Sequence, residues 1–324
     1  MRRGLRHLAL ATGLLAALAA CETSSLAPRE TGVPPHARPD ALAPEPEMPE
    51  PPQKRSLASR DLETYYARIQ NDLLAQGLLR TDGGGPDTPF TDTMLLRNFE
   101  RIALAEEYER GAGLRPSRGE LGYIKKWTKP IRVAVEFGEL VPLDQRVQDR
   151  NMVVQYVNRL AGITGHPMSV TSGDANFHVL FMSEDDKAQI APRIRTLVPD
   201  VNPSALDIFK RLPRSIHCLV MAFSERPGGY AYGDAIAVIR SEHPDLLRRS
   251  CVHEEIAQGL GLGNDSPNAR PSIFNDDDEF ALLTTHDEML LRLLYDPAVR
   301  AGMDAEQVRP IVRARAATLM GGES

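Results

Sequence analysis

The chain has 324 residues, a formal net charge of -6, 42% hydrophobic residues and 25% charged ones. These values suit a globular protein with one or two domains and room for a sizeable core. The acidic balance, with no basic run beyond the N-terminus, excludes nucleic acid as an expected partner.

At the N-terminus, Arg2, Arg3 and Arg6 precede an apolar run from Leu8 to Leu18, followed by Leu18-Ala19-Ala20-Cys21. This is the order of a secretory signal, and the run is short for a membrane span. The last four residues resemble the bacterial lipobox. That resemblance implies a signal peptide over 1–20, cleavage before Cys21 and a lipoprotein held at a membrane by lipid on Cys21. Glu22 stands where aspartate would signal inner-membrane retention in some bacteria, so the expected location is the cell envelope, with the outer membrane as the default. An ordinary cleaved signal with an incidental cysteine is the alternative. Residues 21–56 hold nine prolines between Pro28 and Pro52, which block helix and paired strand and predict an extended, solvated tether.

Residues 57–125 form an N-terminal helical segment. Leu62, Tyr65, Tyr66, Ile69, Leu73 and Leu74 recur at helical spacing, and a second set from Leu95 to Tyr108 follows a glycine-rich break, which together predict a small helical hairpin. Residues 126–265 alternate strands and helices. Ile131–Val135, Met168–Val170, Phe177–Phe181, Cys218–Phe223 and Ala235–Ile239 read as strands, Asp144–Leu160 as a backing helix, and a site helix starts near Pro244-Asp245. Residues 266–324 read as a mainly helical C-terminal subdomain: Thr285-His286-Asp287-Glu288 matches a capping box, and Asp304–Met320 is amphipathic with a start, kink or break expected at Pro310. The acidic run Asp276-Asp277-Asp278-Glu279 lacks the glycine and alternate ligand spacing of a calcium loop, so its carboxylates are expected to cap a helix and stay solvated. The fold class is α+β.

The chemistry concentrates in His253-Glu254-Glu255-Ile256-Ala257-Gln258-Gly259-Leu260-Gly261-Leu262-Gly263-Asn264-Asp265. Glu254 and Gln258 are four apart and share a helix face, and the glycines allow a turn that could return Asn264 toward them. The stretch resembles the metzincin signature H-E-x-x-H-x-x-G-x-x-H. Aligned on the glycines, Glu254, Gln258 and Asn264 fall on the zinc-ligand positions and Glu255 on the general base, with every ligand histidine replaced. Counting from His253 instead would put Ala257 and Gly263 at ligand positions, where neither side chain can bind metal. His286 is the one later histidine placed to reach the cleft; His166, His178, His217 and His243 show no ligand spacing to one another.

Residues 127 to about 303 resemble the DUF2927 family, a domain of unknown function found in alphaproteobacterial envelope proteins. The likeness is carried by Glu254-Glu255-x-x-Gln258, Asn264-Asp265, Ser272-Ile273-Phe274-Asn275-Asp276, Leu283-Thr284, Asp287, Leu294-Tyr295-Asp296-Pro297 and Gly302-Met303. The metzincin likeness implies a zincin-like mixed sheet with a backing helix and a site helix. Three functions stay open. One is a pseudoenzyme that binds an envelope protein, peptide or glycan in the cleft. Another is a metallopeptidase-like hydrolase with Glu254, Gln258 and Asn264 as oxygen ligands and Glu255 as base. The third is a purely structural lipoprotein. No cofactor is expected; a divalent metal at this donor set would be calcium or magnesium rather than zinc. With Cys21 occupied by lipid, export leaves Cys218 and Cys251 as one pair, with a disulfide as the default.

Overall fold

A parallel sheet forms where short β-branched runs alternate with helices, and the order of elements sets which helix covers which face. The computed structural model describes residues 54–105, 117, 119–210 and 212–321. The expected signal peptide, the Cys21 lipidation position, the expected tether up to residue 53 and Tyr108 lie outside these residues. The strands are β1 (Lys126–Trp127), β2 (Ile131–Phe137), β3 (Met168–Val170), β4 (Phe177–Met182), β5 (Cys218–Ser224) and β6 (Ala231–Arg240). The α-helices are α1 (Leu57–Ala75), α2 (Asp92–Leu104), α3 (Leu143–Thr164), α4 (Lys187–Leu197), α5 (Asp245–Gly259), α6 (Thr285–Leu294) and α7 (Ala305–Met320). The architecture is α+β, as the alternation of periodicities predicts.

In the sheet, β3, β2, β4 and β6 lie side by side and parallel, and short β1 also runs parallel to β6. β5 alone is antiparallel, paired to β6 from Cys218↔Ile239 to Ser224↔Tyr232. Every residue of β4 is buried, as a central strand covered on both faces must be. On one face α3 and α5 pack over Val133, Val179 and Ala237, and α2, α6 and α7 continue the same core through Phe99, Leu290 and Val312. Leu180, Ile236 and Val238 point the other way, to α4 and Leu206 and Phe209. Each such buried aliphatic side chain contributes about 1.5–3 kcal/mol.

Three expectations change. α1 and α2 do not pair as a hairpin: α2 packs on α6 and α7, while α1 adds Tyr66 to a small cluster with Leu79, Leu247 and Ala281. Each amphipathic face finds more apolar surface on the domain than on its neighbour. The α6 capping box is Thr284 with Asp287, one residue earlier than the sequence match. α7 neither starts nor breaks at Pro310, its buried stripe of Val308, Val312 and Ala316 holding it to the core.

Candidate functional site

The position of α5 follows from three aromatic side chains that donate to its carbonyls. Tyr156 Oη donates to His253 O, Trp127 Nε1 to Gly259 O and Tyr295 Oη to Leu260 O, each at 2.8 Å. The end of the helix presses onto the sheet: a Cβ at Gly259 would lie 2.6 Å from the Phe177 ring, and one at Gly261, where φ is +122°, would lie 2.2 Å from Lys125 O. Only glycine fits either contact. The Cys218–Cys251 disulfide then ties α5 to the first residue of β5, so the expected bond is formed. Cys251 is buried, whereas Cys218 is half-buried.

Between β5 and α5 opens a cavity of about 700 Å³. All seven residues of β5 line it, as do Glu254, Glu255 and Gln258 of α5. Successive side chains of a strand point to opposite faces. A cavity touched by every residue of β5 therefore lies along its edge. That edge has no further strand on it among the described residues.

Glu254, Glu255 and Gln258 meet in this cleft, with Glu255 4% and Gln258 8% exposed. Asn264 is placed differently. Its Nδ2 donates to Arg101 O at 3.0 Å and to Asp265 O at 2.8 Å, and it is the next residue, Asp265, that lines the cavity. Gln258 Nε2 lies 3.4 Å from Asp265 Oδ1. His253 faces away from the cleft. It stacks on Tyr156 with centroids 3.9 Å apart and its Nδ1 accepts from Leu283 N. Burial, aided by Arg159 and Arg249, holds its pKa down to about 3, so the ring is neutral.

His286 does not reach the cleft. It is fully buried against Phe90, with Nε2 3.1 Å from Asn98 Nδ2. The acidic run does not cap a helix either: Asp276 and Asp278 line the cavity, while Glu279 pairs with Arg80 and Arg270. His217, which the sequence left unassigned, also lines it, as do Tyr123 and Lys125, which sequence reasoning passed over. The only signal for them was adjacency to strand ends. Lys125 is partly desolvated, and that burial holds its pKa down to about 8.

Many of the residues that carried the family likeness turn out to hold this frame. The Asp287 carboxylate accepts from Ser272 Oγ, Ile273 N and Thr284 N, which fixes the loop ahead of α6. Lys126 Nζ donates to Leu294 O and Val299 O, and Ile124 exchanges backbone hydrogen bonds with Gly302 and Met303.

As a metal site the cleft offers oxygen donors. Among the described residues, the grouping of metal-ligating types is Cys218, Glu254 and Glu255, with donor atoms within 4.8 Å of one another. The Cys218 sulfur is spent in the disulfide. The remaining carboxylates do not fit zinc, which draws on imidazole and thiolate; they are of the type that calcium and magnesium take.

Neither the curated proteins nor the solved structures contain a match to this chain. A family model does match, and over a longer span than the sequence motifs mark out. It begins at α2 and extends into α7, the two helices that pack on each other with Arg309 Nε 2.6 Å from Glu100 Oε1. Residues 92–314, more than half of the chain, match the family described as protein of unknown function (DUF2927), and the protein belongs to that family.

Proposed function

We propose that this protein is a lipid-anchored protein of the cell envelope that binds an extended polypeptide along the outer edge of β5 without cleaving it. The observation that carries this reading is the open cleft along the whole of β5. A sheet edge offers backbone N–H and C=O groups at alternate residues, and an extended segment can add there as one more strand, its side chains alternating into the flanking pockets. The seven residues of β5 would accommodate a peptide of similar length. The anchoring at Cys21 rests on the N-terminal pattern, and the Cys218–Cys251 bond supports export to an oxidising compartment. Kinship with zincins rests on the register of Glu254, Glu255 and Gln258, which all line the cleft.

The donor set disfavours peptidase activity. Hydrolysis in a zincin needs a Lewis acid that brings bound water to a pKa near 7, beside a base. Glu255 could be the base, but an all-oxygen set without imidazole is a poor zinc site. Glu255 and Glu254 are better explained as groups that hold a ligand.

The test uses the full-length protein in detergent and a degenerate octapeptide library with β-branched residues at alternate positions. Retained peptides are expected to lose binding when alternate backbone nitrogens are methylated, and to be recovered intact. Retention of no peptide would leave only an architectural role. Cleavage that is blocked by a chelator and lost in Glu255→Gln would establish the hydrolase instead.

A further inference from the structure

The Cys218–Cys251 bond joins two sulfur atoms in unlike surroundings. Cys218 is half-buried and lines the cleft, as does His217 before it, whereas Cys251 is 3% exposed and sits inside the core. A thiolate opens a disulfide by attacking the sulfur it can reach, and the other sulfur leaves. The cleft gives a small thiol a path to Cys218, while packing closes Cys251 off.

The surroundings of Cys251 suit a departing sulfur. His243 Nδ1 lies 3.7 Å from Cys251 Sγ. The His243 ring is 2% exposed, and its other nitrogen, Nε2, is buried with no hydrogen-bond partner among the described residues. Burial, and then His217, Arg240 and Arg248, hold its pKa well below the usual range, so the ring is neutral and carries one proton. On Nε2 that proton would make a buried, unsatisfied donor; on Nδ1 it points at the sulfur. The ring is fixed in this position from several elements. Tyr66 of α1 and His217 meet it edge to face, with centroids 4.3 and 5.4 Å away, and Arg248 of α5 donates to His243 O. A disulfide sulfur is a weak acceptor and a thiolate a strong one, so the contact with Nδ1–H strengthens as the S–S bond breaks. Burial alone would make a thiolate at Cys251 costly, and the imidazole N–H offsets that cost.

We infer that the Cys218–Cys251 bond is a thiol-exchange site, opened in the folded protein by a dithiol whose thiolate attacks Cys218 Sγ from the cleft, with Cys251 as the leaving sulfur and His243 Nδ1–H beside it as the stabilising donor. A new S–S bond joins the dithiol to Cys218, and the electron pair of the old bond stays on Cys251, which then takes a proton from solvent. The second thiol of the reagent gives up its proton and attacks the reagent's own sulfur in the mixed disulfide, and Cys218 leaves as a thiolate that is protonated in turn. The dithiol departs as a disulfide, and the protein has gained two electrons and two protons. The product frees the first residue of β5 from α5. This chemistry does not depend on what the cleft binds.

The experiment treats the full-length protein in detergent with dithiothreitol in mildly alkaline buffer, and reads free thiols by rapid alkylation and mass. Reduction should speed up in proportion to the dithiothreitol concentration, outrun global unfolding measured in the same buffer, and leave the circular dichroism spectrum native. With the monothiol 2-mercaptoethanol as probe and the same alkylating trap, the adduct should sit on Cys218 and the alkyl label on Cys251, in excess of the reverse by about tenfold or more. His243→Phe keeps a ring against Tyr66 and His217 and removes the N–H; it should slow exchange about tenfold at an unchanged unfolding midpoint. A rate that levels off at the unfolding rate would overturn the inference, because the bond would then be sealed in the native state. Adducts found equally or chiefly on Cys251 would overturn it as well, and this readout needs only the wild-type protein, so it holds if the variant fails to fold. Exchange as fast in a folded His243→Phe as in wild type would remove His243 from the mechanism and refute the inference in the form stated.

Discussion

Asp287 is the residue whose loss should damage the protein most for its size. It is fully buried, and its carboxylate accepts from Ser272 Oγ at 2.6 Å, from Ile273 N at 3.0 Å and from Thr284 N at 3.0 Å. Asp287→Ala leaves those three buried donors without their acceptor. Hydrogen bonds to a charged group are worth about 1.5–3 kcal/mol each, and removing one partner of a buried charged network costs about 3–5 kcal/mol in all. Asp287→Asn keeps one acceptor oxygen and should cost about 2 kcal/mol. Urea unfolding followed by circular dichroism measures both, with an unchanged slope showing that the same surface is exposed. Asp276→Ala, on the exposed part of the acidic loop, is the control and should stay within about 0.5 kcal/mol of wild type. If Asp287→Ala loses less than about 1 kcal/mol at constant slope, the assignment of this family-signature residue to the frame rather than to chemistry is refuted.

The Cys218–Cys251 bond closes a separation of 33 residues; replacing both cysteines by serine should cost about 3–4 kcal/mol in the loop-entropy view, read as a lower denaturation midpoint. Two free thiols at these positions in denatured, unreduced protein would contradict the bond. Stability should fall with acid below pH 6.5, because the unfolded chain binds protons that His253, held at about 3, refuses until far lower pH. Buried His243 and half-buried His217 act in the same direction. His253→Asn, which retains an acceptor for Leu283 N, should flatten the slope between pH 6.5 and 3, and an unchanged slope in titrated unfolding curves would count against that placement of the ring. Gly261→Ala should cost about 2–4 kcal/mol, because its φ of +122° is strained for alanine and the new methyl meets Lys125 O. Gly263→Ala, with nothing within 4 Å, should stay within about 0.5 kcal/mol; equal midpoints for the two would undo the close-approach argument.

Local pattern was enough for the elements. The alternation in Ile131–Val135, the run Phe177–Phe181 and the helical spacing around His253 each reflect one-dimensional periodicity, and β2, β4 and α5 form where it places them. The shared face of Glu254 and Gln258 was legible for the same reason, since a helix fixes the angle between residues by their spacing alone. The disulfide was legible from counting. Chain reversal was not. Whether Asn264 or Asp265 turns into the cleft depends on the loop after Gly261, where the Asn264 amide is captured by Arg101 O from α2, more than 150 residues earlier in the chain. Lys125, His217 and Asp278 enter the cleft from three separate segments that only the packed sheet brings together. α1 and α2 are similar amphipathic patterns, and nothing in their period says which apolar surface each will meet. Helical spacing was enough to place Glu254 and Gln258 on one face. That this face looks onto an open strand edge came from packing, because a strand is an edge only through its neighbours, and the neighbours of β5 are set by the order of the whole sheet.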